Sequence, residues 1–449
     1  MKPNSKSASV APSARGAALT ILGQVLHRHQ PLDQALADKT KNGGLNKLEP
    51  RDRAFARNLA ATVLRRLGQI DQILDTCLEK PLPDAHNRVH DVLRLGAAQI
   101  LFLQTPAHAA VDRTVSLVPR RSGSFRGLVN AILRRLTREG TELLATQDEA
   151  VLNTPSWLWQ SWTAAHGEDA ARAVALANLQ NPPLDFTVKD PSQAQQIASA
   201  LEAQIMPTGT LRRTAGGIVT DLPGYNSGDW WVQDLAAALP ARLLISWAIA
   251  QNLEPDALSA IDLCAAPGGK TAQLAAAGIA VTAVDRAARR LGQLSQNLSR
   301  LGLKAEAIAA DGATWQPPAP VDLVLLDAPC SATGTSRRHP DIPHLKTPND
   351  VAGLNTAQTG LIRAAARMVK PGGALVYAVC SLQPEEGPEI VRSFLLDQPE
   401  FVRAPITPDE IGDLGQCITP EGDLVTLPCH LGNQGGMDGF FAARLVRST

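Results

Sequence analysis

From Ser259 onward the chain alternates short, almost wholly apolar runs with helix-length segments, and that repetition constrains the fold more than any other feature. Runs at 259–264, 280–285, 305–311, 321–327 and 374–380 read as strands, with Arg286–Gly302 and Val351–Val369 the clearest helices between them. Strands that lack polar alternation must be covered on both faces, so the pattern predicts a parallel sheet with helices on either side, a Rossmann-like α/β domain. Gly439–Val446 reads as a last, antiparallel strand.

The segments before this domain have other textures, as expected of 449 residues, which exceed what one core usually fills. Residues 1–14 are small and polar and read as a disordered tail. Residues 15–145 carry helical periodicity: Phe55, Leu59, Val63 and Leu67 recur every fourth position with arginines on the other face, which predicts an all-α bundle. Residues 146–183 read as a helical linker with Trp157, Trp159 and Trp162, ended by Asn181-Pro-Pro183. Residues 184–235 read as a small α+β insert with β-like runs at Asp185–Lys189 and Gly217–Thr220, and residues 236–449 form the α/β domain.

Lys and Arg number 43 and balance 43 Asp and Glu, but unevenly. Residues 1–150 hold 22 basic against 14 acidic side chains, an excess of eight, which leaves 21 against 29 for residues 151–449. A basic helical region joined to an acidic one suggests that the first handles a polyanion. Six scattered cysteines without a CxxC pair give no sign of a structural metal, and the N-terminus has no apolar signal core. A reducing cytoplasm, free thiols, no membrane role, no metal and a monomer are the corresponding expectations.

In open α/β sheets ligands bind beyond the carboxyl ends of the strands. Cys264, Ala265, Ala266, Pro267, Gly268, Gly269 and Lys270 follow the first strand, where the glycines let backbone approach a ligand and Thr271 opens a helix. Asp285 ends the second strand, placed for two ribose hydroxyls, and Asp311 ends the third, within reach of an adenine amino group. The turn nearly matches the phosphate loop GxxxxGKS/T, with Cys264 at its first glycine, so an NTPase acting on RNA is the rival reading. Pro267 removes one N–H from such a cradle, and S-adenosylmethionine accounts for ribose, adenine and carboxylate together.

Asp327 and Cys330 follow the fourth strand and Cys380 ends the fifth. If those strands are neighbours, roughly 5 Å apart, the three groups converge beside the cofactor. Cytosine C5 is too weak a nucleophile to take a methyl group unaided. Thiolate addition at C6 activates it, with Asp327 a candidate donor to N3 and a second thiol helping product release. Arg337 and Arg338, in the loop after the fourth strand, could hold RNA phosphates.

The segments DLCAAPGGKT at 262–271, VDLVLLDAPCSATG at 321–334, RRHPDI at 337–342, VYAVCSLQPEE at 376–386 and DGFFAARL at 438–445 resemble the RNA cytosine-5 methyltransferase family. Residues 15–140 are similar to NusB, a helical RNA-binding fold, so the resemblance covers nearly the whole chain. It implies methyl transfer to 16S ribosomal RNA with Cys380 as the nucleophile and Cys330 as the release thiol. It also implies cofactor contacts from Cys264 to Lys270 and at Asp285, Asp311 and Asp327. Gly387 departs from it, standing where the family usually has asparagine. A non-catalytic RNA-binding factor is the third reading, and the two cysteines Cys330 and Cys380 argue against it.

Overall fold

The computed structural model describes residues 13–41 and 43–449. Contacts divide the chain into two compact units, one running to Gln160 and including His339–Leu345, the other made of Ser161–Arg338 and Lys346–Thr449. Residues 1–12 of the segment read as a tail lie outside the described residues, whereas Ser13 caps the first helix, Ala14–Arg28, by accepting the Gly16 N–H at 3.1 Å.

The first unit is helical. Its core joins Ile21 and Leu22 from that first helix to Leu59 and Val63 of Pro50–Arg65, Val92 and Leu95 of Asn87–Leu101, and Leu133 of Arg126–Ala145. The fourfold spacing thus buries Leu59 and Val63 fully and leaves Phe55 and Leu67 at the core's margin. His339–Leu345 belongs to this unit through specific polar contacts. Asp341 accepts the Leu32 N–H at 2.8 Å, and His344 Nε2 lies 2.8 Å from the Leu64 carbonyl oxygen. Burial lowers the His344 pKa, which favours the neutral ring donating to that carbonyl.

The second unit holds two sheets. The smaller is antiparallel, with β1 (Leu184–Val188), β2 (Gln204–Ile205), β3 (Leu211–Arg213) and β4 (Trp230–Val232) in the order β2-β3-β1-β4. The run expected at Gly217–Thr220 is not one of these strands. Gly217 has a φ of +149° and a 3₁₀ turn occupies Val219–Asp221, so the backbone bends away before it can pair. Arg212 on β3 and Asp185 on β1 form a fully buried two-bonded pair at 2.8 and 2.7 Å, and Asp185 also accepts the Leu235 N–H that opens the helix Leu235–Ala250.

The larger sheet contains β5 (Ser259–Leu263), β6 (Ala280–Asp285), β7 (Glu306–Ala309), β8 (Val321–Asp327), β9 (Val369–Val379), β10 (Phe401–Arg403), β11 (Leu424–Thr426) and β12 (Phe440–Arg447). Its order is β10-β12-β9-β8-β5-β6-β7, with β11 on β12. Strands β5 to β9 run parallel and β10 to β12 antiparallel. Helices cover both faces, as the apolar runs required: Leu235–Ala250 packs with Leu323 and Leu325 on one side, and Pro348–Met368 with Val324 and Leu326 on the other. No helix among the described residues is long and apolar enough to cross a membrane.

Removing one partner of a buried ion pair leaves an uncompensated charge, which costs about 3–5 kcal/mol. Asp185→Ala is therefore expected to lower the urea midpoint by that order. An unchanged midpoint would mean that Arg212 finds another partner.

Candidate active site

The turn after β5 is built by residues that can bend sharply. Cys264 takes a φ of +61° and Gly268 one of +101°, and a Cβ at Gly268 would lie 2.8 Å from Leu294 Cγ. Gly268 caps the helix Gly269–Ala276. Asp285, at the tip of β6 and only 4% exposed, braces the turn by accepting the Ala266 N–H at 3.2 Å and the Ala287 N–H at 2.8 Å. Each of its oxygens keeps a further lone pair, so the carboxylate fits a pair of ribose hydroxyls. Asp311 lies two residues past β7, is exposed, and caps its own turn by accepting the Ala313 N–H at 2.9 Å.

Lys270 and Thr271, the two residues that a phosphate loop would turn toward a nucleotide and its metal, are committed elsewhere. Lys270 Nζ bonds Asp327 at 2.8 Å and sits 5.1 Å from the Phe440 ring centroid. Burial alone would lower the Lys270 pKa, but the Asp327 carboxylate outweighs it and the net shift is upward. Thr271 donates to Asp262 at 2.5 Å. Asp262 is fully buried and its Oδ1 has no hydrogen-bond partner; burial, opposed by Thr271 and aided by Asp327, pushes its pKa up to about 7. Burial and the nearby carboxylates push the Cys264 thiol up to about 12, which makes it an inert wall residue.

Strands β8 and β9 are neighbours with Asp327 opposite Ala378, and the loops beyond them bring Cys330 Sγ within 3.4 Å of Cys380 Sγ. The bond to Cys380, burial, and the charges of Glu386 and Asp327 all raise the Cys330 pKa well above the ordinary thiol value. Asp327 bonds Lys270 and acts through its charge on Cys330, and Cys330, Cys380, Asp327 and the turn all lie at the carboxyl ends of neighbouring strands. Gly334 and Gly439 explain two of the motif glycines. Gly439 N–H bonds the Gly334 carbonyl at 2.8 Å, and a Cβ at Gly334 would meet the Gly439 oxygen at 2.1 Å. At Gly387 a Cβ would lie 2.9 Å from Phe441 Cγ, so this chain has no room there for asparagine without moving the ring.

Sequence reasoning missed the polar residues behind the thiols. Glu386 is fully buried and accepts from the Ser331 N–H at 2.8 Å, the Ser331 and Ser381 hydroxyls at 2.5 Å each, and Gln358 Nε2 at 3.1 Å. The signal was a serine directly after each cysteine. The basic pair after β8 is a correction: Arg337 is 1% exposed and Arg338 is largely covered. Arg337 donates to Asp438 at 3.3 Å and to the Gly435 carbonyl at 2.5 Å, and Arg338 donates to Asp438 at 2.9 Å and to Asp234. With their charge spent on two buried aspartates, neither is available to RNA phosphates. Among the described residues no group of three or more His, Cys, Asp and Glu side chains could hold a metal ion.

The family model for the 16S rRNA methyltransferase RsmB/F matches residues 249–446, and the NusB family model matches residues 12–138. Ribosomal RNA small subunit methyltransferase B of Cronobacter sakazakii is 34% identical over 450 residues, covering 96% of this chain and 98% of that protein. The same enzyme of Pseudomonas putida is 35% identical over 451 residues, again 96% of this chain and 98% of that protein. The chain belongs to the ribosomal RNA small subunit methyltransferase B family. It is an S-adenosylmethionine-dependent RNA methyltransferase with a NusB-type helical domain before its Rossmann-like domain. The solved structure of PH0851 shares the fold, with a TM-score of 0.70 at 21% identity over 98% of this chain and 100% of that one. NSun6 from Pyrococcus horikoshii aligns over 66% of this chain and 98% of its own, at a TM-score of 0.55 and 18% identity.

The Asp262 pKa gives the site a pH dependence. Its folded value of about 7 lies above the unfolded carboxyl value of about 3.9, so between these the folded state holds a proton that the unfolded state has lost. Stability then falls as pH rises through that window, by at most about 1.4 kcal/mol per pH unit. Asp262→Asn keeps an acceptor for Thr271 and cannot ionise. Urea midpoints measured from about pH 5 to about pH 7, within the window set by that shift, should decline in the native protein relative to the variant. Parallel curves would show that Asp262 ionisation is not linked to folding.

Proposed function

We propose that the protein transfers a methyl group from S-adenosylmethionine to C5 of a cytosine in 16S ribosomal RNA, through a covalent bond between Cys380 and C6. The observation that carries this reading is the 3.4 Å approach of two thiols beside a cofactor-type glycine turn. Bound S-adenosylmethionine supplies an electrophilic methyl on a sulfonium. Cys264 to Lys270, Asp285, Asp311 and Asp327 are the residues proposed to hold it.

The remaining chemistry belongs to the chain. Cys380 as thiolate adds to C6, and the electron pair displaced toward C5 makes that carbon nucleophilic. Addition is eased by protonation at N3; Asp327, which accepts from the Lys270 ammonium at 2.8 Å, is proposed to relay that proton, so that N3 gains it and Lys270 is left as the neutral amine. After methylation the C5 proton leaves to a base and the sulfur of Cys380 departs with its bonding pair. Cys330 is proposed to assist that release. Its raised pKa supports the division of labour, because a thiol that keeps its proton is a poor nucleophile.

The excess of positive charge in residues 1–150 supports the helical unit as the source of RNA affinity. All six cysteines are free, which fits the reducing cytoplasm where ribosomal RNA is modified.

Two measurements test this. Loss of two buried hydrogen bonds to a ribose costs about 2–4 kcal/mol, so Asp285→Ala should weaken S-adenosylmethionine binding by calorimetry at least thirtyfold, on the order of the lower figure. Unchanged affinity would remove Asp285 from the cofactor site. For the thiols, Cys330→Ala should accumulate a covalent RNA adduct on a denaturing gel, while Cys380→Ala should form none and lose methylation by several orders of magnitude. The double variant should match Cys380→Ala, and adduct accumulating in Cys380→Ala instead would make Cys330 the nucleophile.

A further inference from the structure

Cys330 and Cys380 lie beyond the sheet, where the ladder no longer holds them. Ala328 N–H still bonds the Ala378 carbonyl at 2.9 Å, but Pro329 has no N–H to continue the pattern. Strand neighbours sit roughly 4.8 Å apart, and strand spacing alone does not bring two loop side chains to 3.4 Å.

Direct bonds link those loops, from the Gly334 N–H to the Cys380 carbonyl at 3.1 Å and from the Leu382 N–H to the Thr333 hydroxyl at 3.1 Å, and behind the thiols themselves a carboxylate bridges them. Glu386 Oε2 accepts both the Ser331 and the Ser381 hydroxyl at 2.5 Å, and Oε1 accepts the Ser331 backbone N–H at 2.8 Å. Each serine follows its cysteine directly, so one side chain is bonded to the residue next to each thiol. Gln358, from the helix Pro348–Met368, donates to Oε1 at 3.1 Å and to the Pro329 carbonyl at 2.9 Å, which pins the residue before Cys330 as well. Tyr377 donates its hydroxyl to the Glu386 carbonyl at 2.6 Å and so anchors the backbone of Glu386 to β9. Glu386, Ser331, Ser381 and Gln358 are all buried, where such bonds gain strength and unmet polar groups are costly.

We infer that Glu386 is a positioning residue for the reaction: it holds the Cys330 and Cys380 loops together and so sets the approach of the two thiols. The inference rests on the proposed roles of those cysteines, but the geometry it concerns can be measured without methyl transfer. Glu386 touches neither Lys270 nor Asp285, so cofactor affinity reports folding independently of the clamp.

The test is the rate at which the two thiols of the full-length protein close to a disulfide. With 2,2′-dipyridyl disulfide one cysteine first exchanges, and the second then displaces the bound thiopyridine. The two protein thiols lose their protons, one S–S bond forms, and the reagent is reduced by two electrons to two molecules of thiopyridone. The Cys330–Cys380 peptide pair is followed by mass spectrometry. Glu386→Ala should slow closure by at least about tenfold, through loss of several buried charge-assisted bonds, while S-adenosylmethionine affinity stays within about twofold. Glu386→Gln keeps an acceptor for the Ser331 N–H and offers an amide to both hydroxyls, so closure should return to within about threefold of the native rate. Closure at the native rate in Glu386→Ala, or equal slowing in Glu386→Gln, would overturn the inference. Should Glu386→Ala fail to fold, Ser331→Ala with Ser381→Ala removes two of the donors and should slow closure in the same way, and native closure there would overturn it equally. A reversed adduct pattern in the cysteine variants would instead fail the assignment of nucleophile and leave the clamp standing.

Discussion

The parallel ladder between β8 and β9 is the contact on which the rest of the site depends. It sets Asp327 opposite Ala378, and from that register the next few residues of each chain segment are delivered to one edge. Parallel strands do this by construction, since each loop that leaves a carboxyl end emerges on the same side. β5, on the other flank of β8, brings the glycine turn to that side too, and Lys270 in the following helix reaches back to Asp327 at 2.8 Å. Glycine turn and thiols are therefore adjacent because their strands are adjacent, although Lys270 and Cys380 lie 110 positions apart in sequence.

Buried charge does the next level of work. Asp234 and Asp438 share Arg337 and Arg338, four ionisable groups with almost no solvent. Burial and the neighbouring Asp234 push Asp438 up to about 6, while the two arginines outweigh burial at Asp234 and lower it. The cluster fixes the segment from Gly435 to Asp438, and Arg212 holds the preceding residue through the Gln434 carbonyl. Phe440 follows directly and packs on Lys270. Breaking any member thus leaves an unpaired buried charge next to the segment that leads into Phe440. A buried cluster of this kind contributes specificity of arrangement more than net stability.

The parts of this molecule legible in its sequence were those governed by local rules. Apolar runs gave the strands of the parallel sheet, and glycine pairs marked the turn that needs a positive φ at Gly268. The meeting of Cys330 and Cys380 followed once their strands were taken as neighbours. What stayed hidden depends on partners far along the chain. Arg337 and Arg338 read as candidate holders of RNA phosphates because the aspartates that bury them lie about a hundred positions away on either side. Glu386 read as one acid of a Pro-Glu-Glu turn, since its donors come from three separate segments. Gly217–Thr220 had strand composition, but pairing needs a free edge as well as composition, and its backbone turns away.

Two thiols in contact cannot act alike. At 3.4 Å, and with the effective dielectric of about 20 that suits protein sites, two thiolates would repel by roughly 5 kcal/mol, so the pair carries at most one negative charge near neutral pH. Which sulfur carries it is set by the surroundings. Cys330 faces Glu386 and Asp327, both of which favour its protonated form, and Lys270 feels the charge of Cys380. The hydrogen bond to Cys380 and burial act with those charges to keep the proton on Cys330. On the proposed assignment the nucleophile therefore has a protonated thiol 3.4 Å away from the moment of attack to the moment of its departure.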